Sequence, residues 1–187
     1  MSLKHDIEFK LNGVKRRATV RVDMSALDML REVVGLSGTK YGCGEGECGA
    51  CTILVDGASL NACLMFAVDC DGRELVTIEG LAADSKADAL RAAFVEHGAV
   101  QCGYCTPGMV MQASHLLATH PHADAAAIKR GIEGNLCRCT GYKKIVDAIA
   151  AVGCANAQIA YAHKVDTQSA DPQNDAVQVA AIQGATP

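Results

Sequence analysis

Ile7, Phe9 and Leu11 alternate with Glu8 and Lys10, and the alternation resumes over Ala18-Thr19-Val20-Arg21-Val22. A period of two marks half-buried strands, and Asn12-Gly13 between the two runs is a two-residue hairpin signal. The period then lengthens. Leu27, Leu30 and Val34 recur at helical spacing, behind Ser25 with Asp28 three residues on and ahead of Gly35, which predicts a short capped helix. Thr52-Ile53-Leu54-Val55 and Ala58-Ser59-Leu60 flank Asp56-Gly57, a second hairpin, and Leu75-Val76-Thr77-Ile78 reads as one more strand. Strands gathered around one helix predict an α+β domain over residues 1–80.

Beyond Gly80 the apolar positions take the helical period. Helices are predicted over Ser85–Glu96, Pro107–Thr119, Asp124–Ile132 and Tyr142 to about Ala151, carrying Leu90 and Phe94, Met109 and Leu116, Ile128, and Ile145 and Ile149 respectively. Four short helices suggest a small four-helix bundle over residues 81–160. From about Tyr161 the chain turns to Ala, Gln, Asp, Asn and Ser, which predicts a flexible C-terminal tail over 161–187.

Composition narrows the functions open to this chain. Of 187 residues 17 are basic and 21 acidic, with no basic run, which argues against a nucleic-acid surface. No stretch approaches the roughly 18 apolar residues of a membrane span, and the start Met1-Ser2-Leu3-Lys4-His5-Asp6 has no apolar core, so no signal peptide is expected. Ten cysteines in a chain of that kind point to a reducing, cytoplasmic compartment and to metal or cluster binding rather than disulfides.

Three of those cysteines and four glycines fall within Gly42-Cys43-Gly44-Glu45-Gly46-Glu47-Cys48-Gly49-Ala50-Cys51. C-x4-C-x2-C is the plant-type spacing for a [2Fe-2S] cluster, with Cys63 placed to be the fourth ligand. The chemistry requires thiolates converging on two irons and a backbone able to wrap closely around them, and glycine supplies that backbone. Gly44, Gly46 and Gly49 also match GxGxxG, but they overlap the ligand loop and open no helix, so no dinucleotide site is expected.

A second set, Cys102-Gly103-Tyr104-Cys105 and Cys137-Arg138-Cys139, lies in the helical half. Each pair precedes a helix, with Thr106 and Thr140 as candidate N-caps. Helix N-termini suit the anionic charge of four thiolates and two sulfides on two ferric ions. Structural zinc is the alternative for this set, because all-cysteine sites made of two close pairs are common. Cys70 is expected as a surface-turn thiol and Cys154 near the last helix's end, both without a role. The six histidines, His5, His97, His115, His120, His122 and His163, are expected at surfaces or helix ends.

The motifs GCGEGECGACT and QCGYCTPGM…GNLCRCTGY together closely resemble the iron-sulfur subunit, or domain, of the molybdenum hydroxylases related to xanthine dehydrogenase and aldehyde oxidase, over roughly residues 5–152. The resemblance implies a plant-ferredoxin-like β-grasp domain with a distal cluster on Cys43, Cys48, Cys51 and Cys63. It implies a helical domain with a proximal cluster on Cys102, Cys105, Cys137 and Cys139. It further implies that Gln101 and Cys139 contact a molybdopterin on a large subunit, and that a medium subunit holds FAD. Electrons would then run from molybdenum through both clusters to FAD during oxidative hydroxylation of a purine, N-heteroaromatic or aldehyde-type substrate, in a heterotrimer or its dimer. The residues alone also allow a free-standing two-cluster ferredoxin, or a redox or iron sensor whose helical site holds zinc.

Overall fold

A computed structural model describes residues 3–82 and 87–155. The tail expected from Tyr161 and His163 lie outside these residues, as does the Cys154 side chain.

The first half is built on a mixed five-stranded sheet of order β2-β1-β5-β3-β4. Strand β1 (Lys4–Leu11) pairs antiparallel with β2 (Val14–Arg21), and β3 (Thr52–Val55) with β4 (Ala58–Asn61). Both hairpins turn on two residues of positive φ, Asn12 (51°) with Gly13 (82°) and Asp56 (49°) with Gly57 (84°). That is the backbone type I′ turns require, and it matches the twist of the flanking strands. Strand β5 (Glu74–Val76) joins the hairpins, parallel to β1 and antiparallel to β3.

Helix α1 (Ala26–Asp28) runs directly into a π-helical turn, Met29–Val33. Ser25 Oγ accepts from Asp28 N–H at 3.0 Å, the expected cap. Leu27, Met29 and Leu30 pack with Ile7, Phe9, Ile53 and Leu75 into one core. A sheet wrapped on one helix is the ferredoxin-like α+β arrangement.

The last predicted strand is shorter than expected. Thr77 leaves the ladder and its buried side chain is held by Asn12 and Glu79, while its carbonyl accepts Leu81 N–H and starts α2 (Ile78–Ala82). Four longer helices follow: α3 (Asp88–Glu96), α4 (Thr106–Thr119), α5 (Ala125–Gly131) and α6 (Lys143–Ala155). Asp124 caps α5 by accepting Ala127 N–H at 2.7 Å. Leu90, Phe94, Met109, Met111, Ile128, Ile145 and Ile149 share a second core, which also receives Leu54 and Val76 from the sheet. Strand β3 is therefore buried on both faces, Ile53 and Val55 toward the first core and Leu54 toward the second. Among the described residues no helix is long and apolar enough to cross a membrane.

Two expectations are corrected here. Cys70 is not a surface thiol: it ends a 3₁₀ turn, Ala67–Cys70, and is fully buried in the first core. His115 is not at a helix end but mid-α4, where its Nδ1 lies 3.0 Å from the Gly57 carbonyl oxygen of the second hairpin and ties the helix to the sheet.

Candidate iron-sulfur centres

The loop between the π-helical turn and β3 brings the first cysteines together. Gly42 lies so close to the Cys48 sulfur that a Cβ there would stand 2.6 Å from Sγ, so only glycine leaves room for the thiol. Cys43 N–H points at Cys48 Sγ (3.3 Å) and Glu45 N–H at Cys43 Sγ (3.4 Å). As a free thiol Cys43 is drawn down to about 7, first by Glu45 N–H and then by Cys48. Cys51 is buried and interacts with Cys63 and Cys48; burial, more than these neighbours, pushes it up to about 12. The four sulfurs thus share one site, two of them with N–H donors already in place.

In the helical half Cys105 stands at the N-terminus of α4 and Cys137 and Cys139 on the turn before α6. Burial, then the nearby Cys137 thiol, pushes Cys105 up to about 12. Burial opposes ionisation of Cys137, but hydrogen bonds from Thr140 and from backbone N–H groups outweigh it and leave the thiol below its ordinary value. Cys139 is raised, chiefly through its interaction with Cys102. Cys105 with Cys137 and Cys102 with Cys139 thus form two adjoining pairs. Cys102 and Cys139 are exposed, as is Gln101 beside them, so this site opens to one side of the molecule.

Neither candidate threonine cap acts as one. Cys105 itself occupies the N-cap of α4, and the first helical residue is Thr106. Thr140 lies three residues before α6; its hydroxyl accepts Tyr142 N–H at 3.3 Å and lies 3.0 Å from Cys137 Sγ. Tyr142, at φ 67°, turns its phenol back under the same loop, accepting Cys137 N–H at 2.9 Å and donating to the Asn135 carbonyl at 3.2 Å.

The two cysteine loops touch. Leu136 N–H donates to the Cys48 carbonyl at 2.9 Å, so one hydrogen bond connects a cysteine of the first set to the residue before Cys137. The buried Asn135 carboxamide donates to Gly49 O (2.9 Å) and to Thr52 Oγ1 (3.1 Å). Gly108 packs against the Gly49 backbone, where a Cβ would come within 2.2 Å of the carbonyl oxygen. Asn135 and Gly108 were not singled out in the sequence; the one local hint was their place inside the two halves of the second cysteine motif.

A [2Fe-2S] cluster takes its thiolates two to an iron and favours N–H and O–H donors toward sulfur. Both sites fit it.

Comparison with known proteins agrees at both halves. Residues 9–76 match the family model of a 2Fe-2S iron-sulfur cluster binding domain, and residues 77–150 that of a [2Fe-2S] binding domain. The nicotinate dehydrogenase small FeS subunit of Eubacterium barkeri is 46% identical over 155 residues, covering 82% of this chain and 99% of the relative. The chain belongs to the two-cluster iron-sulfur subunits of the molybdenum hydroxylases. The xanthine dehydrogenase iron-sulfur-binding subunit of Escherichia coli O157:H7 is 42% identical, over 76% of this chain and 91% of its own. Among solved structures, quinoline 2-oxidoreductase from Pseudomonas putida 86 superposes with a TM-score of 0.78 at 46% identity, over 82% of this chain and 96% of that one. As a member of this family the chain carries two [2Fe-2S] clusters and serves an oxidoreductase by electron transfer. Zinc in the helical half is thereby set aside.

Proposed function

We propose that this subunit collects electrons at its helical cluster and passes them outward through its ferredoxin-like cluster. Cys102, Cys105, Cys137 and Cys139 would hold the first and Cys43, Cys48, Cys51 and Cys63 the second. In this reading the chain divides near residue 80 into a ferredoxin-like domain and a four-helix domain. The bound clusters supply reversible one-electron storage. The chain's own residues do the rest: they bind the clusters, keep them close, and leave one side of the helical site open. Gln101 and Cys139, on that open side, would face a molybdopterin held by a large subunit. A medium subunit would present FAD to the loop around Cys43, in a heterotrimer or its dimer.

The observation that carries this reading is the assembly of eight thiols into two sets whose loops share the Leu136–Cys48 hydrogen bond. Nicotinate, xanthine and quinoline, for which three of the relatives are named, share a nitrogen heteroaromatic ring, which supports an N-heteroaromatic substrate. All nine described free thiols are consistent with a reducing, cytoplasmic setting.

Native purification tests the proposal. The chain should elute in a complex far larger than 19.5 kDa, with molybdenum, flavin, and about four iron and four labile sulfide per copy of this chain. Elution at its own mass, without molybdenum or flavin, would instead mark a free-standing ferredoxin.

A further inference from the structure

Thr140 is read from the sequence as a helix cap, yet its hydroxyl is turned toward a cysteine sulfur. The oxygen lies 3.0 Å from Cys137 Sγ and 3.3 Å from Tyr142 N. An amide N–H can only donate, so at Tyr142 the threonine oxygen is the acceptor, and its single proton stays free. A thiolate ligand carries no proton. Toward Cys137 the hydroxyl must therefore be the donor. The arrangement is fixed from below: the Tyr142 phenol, clamped between Cys137 N–H and the Asn135 carbonyl, holds the turn that carries Thr140. Gly141 and Tyr142, at φ 65° and 67°, give the turn its tight reversal.

We propose that Thr140 is a potential-setting residue for the helical cluster. Among the described residues other than the cysteines themselves, only Thr140 hydrogen-bonds one of the eight sulfurs through its side chain; the donors at Cys43 and Cys48 are backbone N–H groups. The distinction matters because a side-chain donor can be changed without altering the backbone path. A donor to ligand sulfur stabilises the cluster more when it has gained an electron and become more negative, so it raises the reduction potential. Thr140 therefore makes the helical cluster a better acceptor for the electrons that reach it first, while leaving the ferredoxin-like cluster untouched. The inference rests on the proposed role of Cys137 as a ligand.

The test is an EPR-monitored redox titration of the assembled complex carrying Thr140→Val or Thr140→Ser. Val keeps the shape and removes the donor; Ser keeps the donor. Thr140→Val should shift the midpoint of the helical cluster to lower potential and leave the other cluster's midpoint where it was, and Thr140→Ser should stay near the unmutated value. Equal midpoints in Val and unmutated complexes, an equal shift of both clusters, or a Ser variant that behaves like Val would overturn the role. Should Val fail to retain the cluster, Thr140→Ala removes the hydroxyl without adding bulk against its neighbours and reads the same shift. Cys137→Ser in parallel separates the two claims. If that variant kept both cluster spectra unchanged, the ligand assignment itself would be wrong; if it altered the helical cluster while Thr140→Val shifted nothing, only the tuning role would fail.

Discussion

Gly108 shows how much of this molecule is decided by single atoms. A methyl group there would stand 2.2 Å from the Gly49 carbonyl oxygen, and backbone cannot yield as a flexible side chain can. Gly108→Ala should therefore push the start of α4 away from the first cysteine loop, at an overpacking cost of about 1–3 kcal/mol. The expected readout is a lower melting temperature together with weaker magnetic coupling between the reduced clusters, measured by EPR; unchanged coupling would show that the loops are held together elsewhere. Cys70 makes the opposite point. In the sequence Asp69-Cys70-Asp71-Gly72 looks like an exposed turn, but the 3₁₀ turn swings the cysteine inward and leaves the two aspartates outside. Burial pushes this thiol up to about 12 from an ordinary 9.0. The folded chain keeps it neutral, so the stability linked to it is complete below pH 9 and drains as the pH rises from 9.0 toward 12, by up to about 1.4 kcal/mol per pH unit. Cys70→Ala should accordingly lose less melting temperature than the unmutated subunit between pH 8 and pH 10.5.

At the scale of elements, legibility followed the range of the signal. Both hairpins could be read because Asn12-Gly13 and Asp56-Gly57 carry their own turn geometry, and Ser25 with Asp28 carries its own cap. Removing that cap in Ser25→Ala should cost about 1 kcal/mol. Because α1 packs Leu27 into the first core, the loss should appear as faster amide exchange over Ala26–Val33, with little change in α4 to α6. Helix α2 could not be read. It is five residues long, too short to show a period, and its start depends on Asn12, 65 residues away, holding Thr77 out of the strand. The thiol sets were legible as spacing, since ligand chemistry imposes it locally. The roles of Thr140 and Tyr142 were not, because capping and sulfur contact draw on the same residue types at the same offsets.

The whole molecule is two cores joined along β3, and it is at this seam that the cluster loops meet. Leu54 enters the helical core while Ile53 and Val55 enter the other, so the strand that follows Cys51 is gripped on both sides. Asn135 closes the seam across 86 residues of chain, a separation that leaves no periodic trace in the sequence. If the two sites act in series as proposed, breaking either should stop the flow without touching the chemistry upstream. Cys137→Ser gives the decisive case. It should remove or distort the helical cluster alone, because Cys137 packs against the helical core while Cys51 and Cys63 of the other site belong to the first core. A substrate-reduced complex should then accumulate reduced molybdenum after a single turnover, while steady-state activity with an artificial acceptor that draws on the flavin falls at least tenfold. Retention of that activity would mean electrons reach the flavin by a route that bypasses this subunit's helical site. The Leu136–Cys48 contact would then be a structural seam and not the path.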